Sequence, residues 1–330
     1  MLNPYLKLNP KIFDSDVEKK ATRDGYGAGL VEFGAHNKDV VALTADLSES
    51  TRAEEFAKKF PERFFNAGVA EQNMVAIAAG LAKEGKIPFI SSYATFSPGK
   101  NWETIRTTII YNNANVKIAG HHAGIMTGPD GATHQATEDI AIVRPWPGIK
   151  IFVPCDSIEA KKATIEAGKI DGPVYLRFSR DKSPVITTDE TPFEAGKIQT
   201  FWTSESPQVS IFATGYVLYY ALLAAKELEE EGIKTLVLNV STIKPTDEKG
   251  IISAVKETGC AVTVEDHQVA GGLGGTISEV LAKTQPTPIE FIGLQDTFAE
   301  SGKPEELIEK YGLGKNAIKK AVKKAIARKK

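Results

Sequence analysis

Residues 63–96 read RFFNAGVAEQNMVAIAAGLAKEGKIPFISSYATF. Two short aromatic or β-branched runs, Arg63–Asn66 and Ile87–Ser91, flank the apolar helical run NMVAIAAGLA. The flanking runs have the length and composition of strands, and the segment between them has helical periodicity. The alternation continues outward on both sides. Further strands are predicted at Val40–Thr44, Val116–Ala119, Ile149–Val153 and Val174–Phe178, with helical stretches between them. That is the pattern of a parallel sheet with helices on both faces. Asp181–Gln208 is rich in Pro, Ser, Thr and acidic residues, as expected of a connection between compact units. Beyond it VSIFATG, TLVLNVS, AVTVED and IEFIG alternate with helical runs such as Val217–Glu231, which Gly232 follows as a C-cap. The fold class is therefore α/β. We expect a doubly wound parallel-sheet domain over residues 1–190, with an N-terminal extension and the start of the connection, and a smaller α/β domain over 191–330.

Composition narrows the function classes. Forty Lys and Arg against 42 Asp and Glu give a net charge of −2 over 330 residues, so no overall field favours nucleic acid or an anionic membrane. The longest mostly apolar stretch, Val209–Ala225, contains Ser210, Thr214 and Gly215 and is shorter than the ~20 residues a bilayer needs. The first residues have neither a secretory core nor the character of a transit peptide, and a cytoplasmic location is expected. Cys155 and Cys260 stand far apart without a CxxC partner, which points to reduced packing residues rather than a disulfide framework or zinc site. The tail Lys315–Lys330 holds eight Lys and Arg and no acid, with Ile318, Ala321, Val322, Ala325 and Ile326 on one helical face. It reads as a terminal helix docking its apolar stripe on the second domain with its lysines in water.

In doubly wound sheets ligands bind beyond the carboxyl ends of the strands, and here those ends are polar. Asp46, Ser48 and Ser50 follow the first strand, Gly68–Asn73 (GVAEQN) the second, and Tyr93 and Phe96 the third. The fourth runs into His121 and His122 and then GIMTGPDGATHQ with Asp130 and His134; the sixth ends near Ser179 and Arg180. Each element also has a purely structural explanation. Glu71 opens a helix, where an acid is a favourable partner for the helix dipole. Tyr93 and Phe96 suit core packing, and Arg23 and Arg180 suit surface ion pairs. The spacing of His121, His122, Asp130 and His134 is not that of a zinc helix pair or finger. A cavity lined with His and Arg nonetheless suits a phosphorylated substrate. GGLGG at Gly271–Gly275 matches neither the P-loop nor the dinucleotide fingerprint, and reads as a tight turn before a helix.

Taken in order, Arg23 with ADLSEST, NAGVAEQNM, PFISSYATF, HAGIMTGPDGATHQ, PWPGIKIFVPCD, the RFSR strand end and VEDHQVAGGLGG resemble the carboxyl-terminal half of transketolase, a thiamine diphosphate enzyme, over nearly the whole chain. The resemblance implies that Ala21 to about Thr188 grips the cofactor's aminopyrimidine. Glu71 would hydrogen-bond N1′ of that ring and favour the imino tautomer, whose 4′ nitrogen takes the proton from thiazolium C2. Tyr93 and Phe96 would stack on the pyrimidine, and Asp46 would lie near the cofactor at a subunit interface. A third position of the aromatic motif falls near Gly99 or Lys100 and stays unassigned. Arg23, Ser50, His122 and Arg180 match sugar-phosphate contacts, and Asp130 and His134 match residues near the sugar hydroxyls and the reacting carbonyl.

Full-length members of that family hold the diphosphate through Mg²⁺ with a GDG motif, and no GDG occurs here; the Asp-Gly pairs at Asp24, Asp130 and Asp171 lack its arrangement. The resemblance thus implies a split transketolase. A separate N-terminal subunit would carry the Mg²⁺–diphosphate site and this chain the pyrimidine pocket, in a two-plus-two heterotetramer transferring ketol units between sugar phosphates of the pentose phosphate pathway. Three other readings stand beside it: a 1-deoxyxylulose-5-phosphate synthase-like half, a 2-oxo acid dehydrogenase beta subunit, and a non-catalytic assembly or regulatory subunit of the same fold.

Overall fold

A computed structural model describes residues 1–329. Its strands are β1 (Lys19–Ala21), β2 (Val40–Thr44), β3 (Phe64–Asn66), β4 (Ile87–Tyr93), β5 (Lys117–His121), β6 (Lys150–Phe152), β7 (Val174–Arg177), β8 (Lys182–Pro184), β9 (Gln199–Trp202), β10 (Val209–Ala213), β11 (Thr235–Asn239), β12 (Thr242–Lys244), β13 (Ala261–Gln268) and β14 (Ile289–Leu294). A seven-stranded sheet has the order β12-β6-β7-β5-β4-β2-β3, and a five-stranded sheet the order β14-β13-β10-β11-β9. Within these two sheets all pairings are parallel except those of the edge strands β12 on β6 and β9 on β11. Strands β2, β4, β5 and β7 are buried on both faces or nearly so, as a parallel sheet covered on both sides requires.

Helices 22–36 and 157–169 cover one face of the larger sheet and close its core with Tyr26, Leu30, Phe89, Phe152, Ala163 and Phe178. They approach so closely that a Cβ on Gly25 would sit 1.9 Å from the Ser157 carbonyl oxygen; only glycine allows that separation. The other face packs against helices 71–83 and 139–143 in a core that also takes Phe212, Leu236, Leu238 and Ile243 of the second unit. The two sheets therefore share apolar packing.

Several pieces depart from the sequence reading. The expected connection 181–208 contains β8, paired antiparallel with β1, and β9. It is also tied down: Asp156, which caps helix 157–169, accepts from the Ile186 and Thr187 N–H groups at 2.7 and 2.6 Å. The terminal helix 315–327 buries Ile318, Ala321, Val322 and Ala325. Its lysines, however, do not simply face water. Lys315 and Lys319 pair with Glu227, and Lys319 and Lys323 with Glu231, because the acidic end of helix 218–230 lies alongside; Lys324 pairs with Glu290 of β14. Lys330, the end of that predicted tail, lies outside the described residues. Both cysteines are free and buried. Among the described residues no helix is long and apolar enough to cross a membrane.

Candidate active site

The carboxyl ends of β2, β4, β5 and β7 and the start of helix 71–83 converge on one edge of the larger sheet. Glu71 opens that helix and is only 3% exposed. The Lys100 ammonium donates to its Oε2 at 3.3 Å, and the Asn101 side chain donates to its backbone carbonyl at 3.2 Å and to Ser97 Oγ at 3.2 Å. The loop after β4 is thereby fastened to the Glu71 turn. Tyr93 ends β4, and Phe96 lies three residues on with its ring 5.8 Å from that of Tyr93 and nearly parallel at 17°.

His122 follows β5 at φ +55°, so the chain turns over between two adjacent histidines and sends them to different places. His121 is buried between Tyr26 and Phe178, with centroids at 4.8 and 5.1 Å. It is a core residue. His122 instead stacks on Tyr93 at 3.8 Å and 23°, and His134 stands edge-on to Tyr93 and Phe96 at 6.0 and 5.5 Å. Tyr93, Phe96, His122 and His134 thus form one aromatic cluster.

Arginines surround it. Burial, then Arg23, Arg180, His134 and Arg52, push the His122 imidazole down to about 3, so it is neutral at physiological pH and each ring nitrogen has a fixed role as donor or acceptor. Burial of Arg23 and its neighbour Arg52 also lower the Arg23 guanidinium from its ordinary value. Arg23 Nη1 donates to the Ser50 carbonyl at 2.7 Å. Its Nε, like His122 Nδ1, is buried with no hydrogen-bond partner among the described residues. Arg180 Nη1 donates to the Thr127 carbonyl at 2.7 Å and to Asp130 Oδ1 at 3.2 Å. An orphaned buried guanidinium donor beside clustered cations suits an anionic ligand.

Two sequence-derived candidates stand differently from the rest. Asp46 is exposed and engages Asn66, whose Nδ2 donates to Asp46 Oδ1 at 3.1 Å; it is not part of the aromatic cluster. Ser50 meets Arg23 through its backbone carbonyl rather than its hydroxyl. Asp46, Arg52 and His122 all hold positive φ without being glycine, and such conformations concentrate at functional sites. Sequence reasoning did not single out Arg52, Lys100 or Asn101 as site residues. Lys100 sits at the unassigned third position of the aromatic motif, which was the available signal. Among the described residues no group of three or more His, Cys, Asp or Glu side chains is arranged to hold a metal ion.

Comparison with known proteins is consistent with this geometry. The family model for the transketolase pyrimidine-binding domain matches residues 18–185, and that for the transketolase C-terminal domain matches residues 200–318. The chain is 45% identical over 306 residues to a Methanocaldococcus jannaschii protein named "Putative transketolase C-terminal section", covering 92% of this chain and 95% of that one. It is 37% identical over 317 residues to a subunit of 6-deoxy-6-sulfo-D-fructose transketolase from Clostridium sp. strain MSTE9, covering 96% and 98%. A solved structure described as a split gene transketolase, inactive beta4 tetramer, superposes with a TM-score of 0.88 at 44% identity, covering 94% of this chain and 99% of that one.

Proposed function

The chain belongs to the transketolase family, and from that premise we propose that it is the C-terminal subunit of a split transketolase, transferring a two-carbon ketol unit between ketose and aldose phosphates. The observation that carries this reading is a buried helix-opening carboxylate, Glu71, tied through Lys100 and Asn101 to the loop that bears Phe96, together with the parallel rings of Tyr93 and Phe96 and the arginines around His122. Residues 1–190 would supply this site and residues 191–330 its support.

The donors present fit the pyrimidine end of thiamine diphosphate: a carboxylate for a ring nitrogen and aromatic faces for stacking. No GDG motif occurs in the sequence for its Mg²⁺–diphosphate end, and that end is assigned to an N-terminal partner. Thiamine diphosphate, when bound, supplies the nucleophilic carbon and electron sink that ketol transfer needs. Glu71 holds and exchanges the proton at the pyrimidine N1′. Its burial keeps bulk water from that hydrogen bond. Tyr93 and Phe96 fix the ring's plane. His134, with Nδ1 2.9 Å from Thr133 Oγ1, and Asp130 bind the sugar hydroxyls and carbonyl. Arg23, Arg180, Ser50 and the neutral His122 bind the terminal anion. The relative named for a sulfo-sugar supports reading that pocket as a site for a tetrahedral anion in general.

The partner reading rests on the exposed face as well. Phe65, Val69 and Ile77, close to Glu71 in sequence, are 40%, 76% and 37% exposed, and Asp46 is exposed beside them in the fold's β2–β3 end. A second chain seated there would cover apolar surface and complete the cofactor site, giving the two-plus-two heterotetramer.

The test is a coupled assay of ketol transfer from xylulose 5-phosphate to ribose 5-phosphate with thiamine diphosphate and Mg²⁺. Turnover is expected only when this chain is mixed with the N-terminal half from its source, and Glu71→Gln should lower kcat by about 10²–10⁴-fold. Turnover by this chain alone would sink the split arrangement. A silent mixture would remove the transketolase reading, and pyruvate would then be tried as donor for a deoxyxylulose-type half.

A further inference from the structure

We propose that Asp266, from the second sheet, is a positioning residue: it holds the loop that carries His122, Asp130 and His134 in the geometry that receives substrate. The loop leaves β5 at His121 and returns at Ala136, where Ala123 and Ala136 form an isolated bridge. It has glycines at positive φ at 124, 128 and 131, so its own backbone preferences do not fix its course. Phe178 and Arg180 of the first unit hold it at the Ala123 N–H and the Thr127 carbonyl, and a further fixing point comes from the other sheet. Asp266 lies in β13 and is 2% exposed. Its Oδ1 accepts from the Ile125 N–H at 3.1 Å, and its Oδ2 accepts from the Tyr216 hydroxyl at 2.8 Å.

The fit leaves no room for adjustment. A Cβ on Gly124 would lie 1.8 Å from Asp266 Oδ2. The far end of the loop is held through the same residue: Arg177 Nη2 donates to the Ala136 carbonyl at 3.2 Å and to the Asp266 carbonyl at 2.8 Å. A third point is Gln135, whose Nε2 donates to the Gly128 and Glu300 carbonyls at 3.3 and 3.2 Å. Asp266 hydrogen-bonds Ile125, Tyr216 and Arg177 rather than the substrate-facing side chains, yet Ile125 is three residues from His122. A displacement of the order of 1 Å at reacting groups can cost about a hundredfold in rate, and a carboxylate bonded to a backbone N–H is a means of preventing it.

This inference rests on the reading above, and its test separates the two. Wild-type holoenzyme, assembled with the N-terminal chain, is assayed first. Asp266→Ala then leaves the Ile125 N–H and the Tyr216 hydroxyl without their acceptor. The expected result is a kcat/KM for the ketose phosphate lowered about tenfold or more, with the dissociation constant for thiamine diphosphate, measured by tryptophan fluorescence, unchanged. Asp266→Asn is expected within about threefold of wild type, since its amide oxygen can accept from Ile125 while its NH₂ donates to Tyr216. An Asp266→Ala holoenzyme with unchanged kcat/KM overturns the proposal. Hydrogen exchange gives a readout that needs no activity. Amides 123–136 should exchange about tenfold faster in Asp266→Ala than in wild type and at the wild-type rate in Asp266→Asn; equal rates in all three overturn the proposal even if the sugar-phosphate reaction itself is absent. Should Asp266→Ala fail to fold, Tyr216→Phe, which frees only one carboxylate oxygen, is expected to raise the exchange of the same amides measurably, and no rise overturns it.

Discussion

Replacing Arg177 by Met should destabilise the protein strongly and with a defined pH dependence. Arg177 Nε pairs with Asp139 Oδ2 at 2.8 Å, and the two side chains are 6% and 1% exposed. The Tyr175 hydroxyl donates to the same oxygen at 2.6 Å. Burial alone pushes the Asp139 carboxyl up, but Arg177, then His267, hold it below its ordinary value. Methionine fills much of the volume but leaves a buried carboxylate without its counter-charge and takes a donor from the Ala136 and Asp266 carbonyls, a loss of about 3–5 kcal/mol. A chain of 330 residues unfolds with an entropy of roughly 0.7 kcal/mol/K, so the melting temperature should fall by about 4–7 °C. In the variant the Asp139 pKa rises above its unfolded value. The penalty is therefore full above that raised pKa and shrinks as pH falls towards the unfolded one. Urea unfolding followed by circular dichroism at pH 8 and pH 5 measures both the size and the trend. Asp139→Asn in the Arg177→Met background should recover about 2 kcal/mol at pH 8. A loss below about 1 kcal/mol, or one that does not diminish between pH 8 and pH 5, would refute the reasoning.

Two further outcomes follow from the site. Arg180→Met removes the guanidinium held by Thr127 and Asp130 and should raise the KM for sugar phosphates about 10–100-fold in steady-state assays of the assembled enzyme, the equivalent of about 1.5–3 kcal/mol for a charge-assisted contact; an unchanged KM would remove Arg180 from the anion site. Buried neutral His122, lowered to about 3, and His267, lowered to about 4, bind a proton more readily when unfolded. Stability is then fully present above about pH 6.5 and declines as pH falls towards 4, which urea midpoints across that window would show, and His122→Asn should flatten part of the decline.

What was legible in the sequence was what local pattern encodes. Val40–Thr44 is a strand to the residue, because a central parallel strand is apolar on both faces and its run of β-branched residues has no other reading. The edge strands β1 (KKA), β8 (KSP) and β12 (TIK) carry no such pattern; their pairing is decided by distant partners, which a local window does not contain. The site divides in the same way. Glu71, Tyr93, Phe96 and His122 stand at element ends that the pattern locates. That His121 would turn inward and His122 outward depends on one positive φ, and that Lys100 would reach Glu71 depends on the course of the loop after β4. Arg177 and Asp266 were hidden most completely. Each sits inside a strand-like run, RFSR and AVTVED, where a charged residue has no evident purpose until the two sheets are brought together.

The strand β12 has a consequence for how this chain can be handled. It is formed by residues 242–244 of the second unit yet completes the edge of the first sheet, antiparallel on β6. Cutting the chain within 181–208 would therefore bare the β6 flank, a row of unpaired amide groups, next to the apolar patch that Ile243 and Leu238 now cover. Such an edge recruits strands from other molecules. The first unit prepared alone should self-associate, and adding residues 209–329 in trans should suppress it, so that the second unit acts as an internal chaperone for the sheet that bears the site.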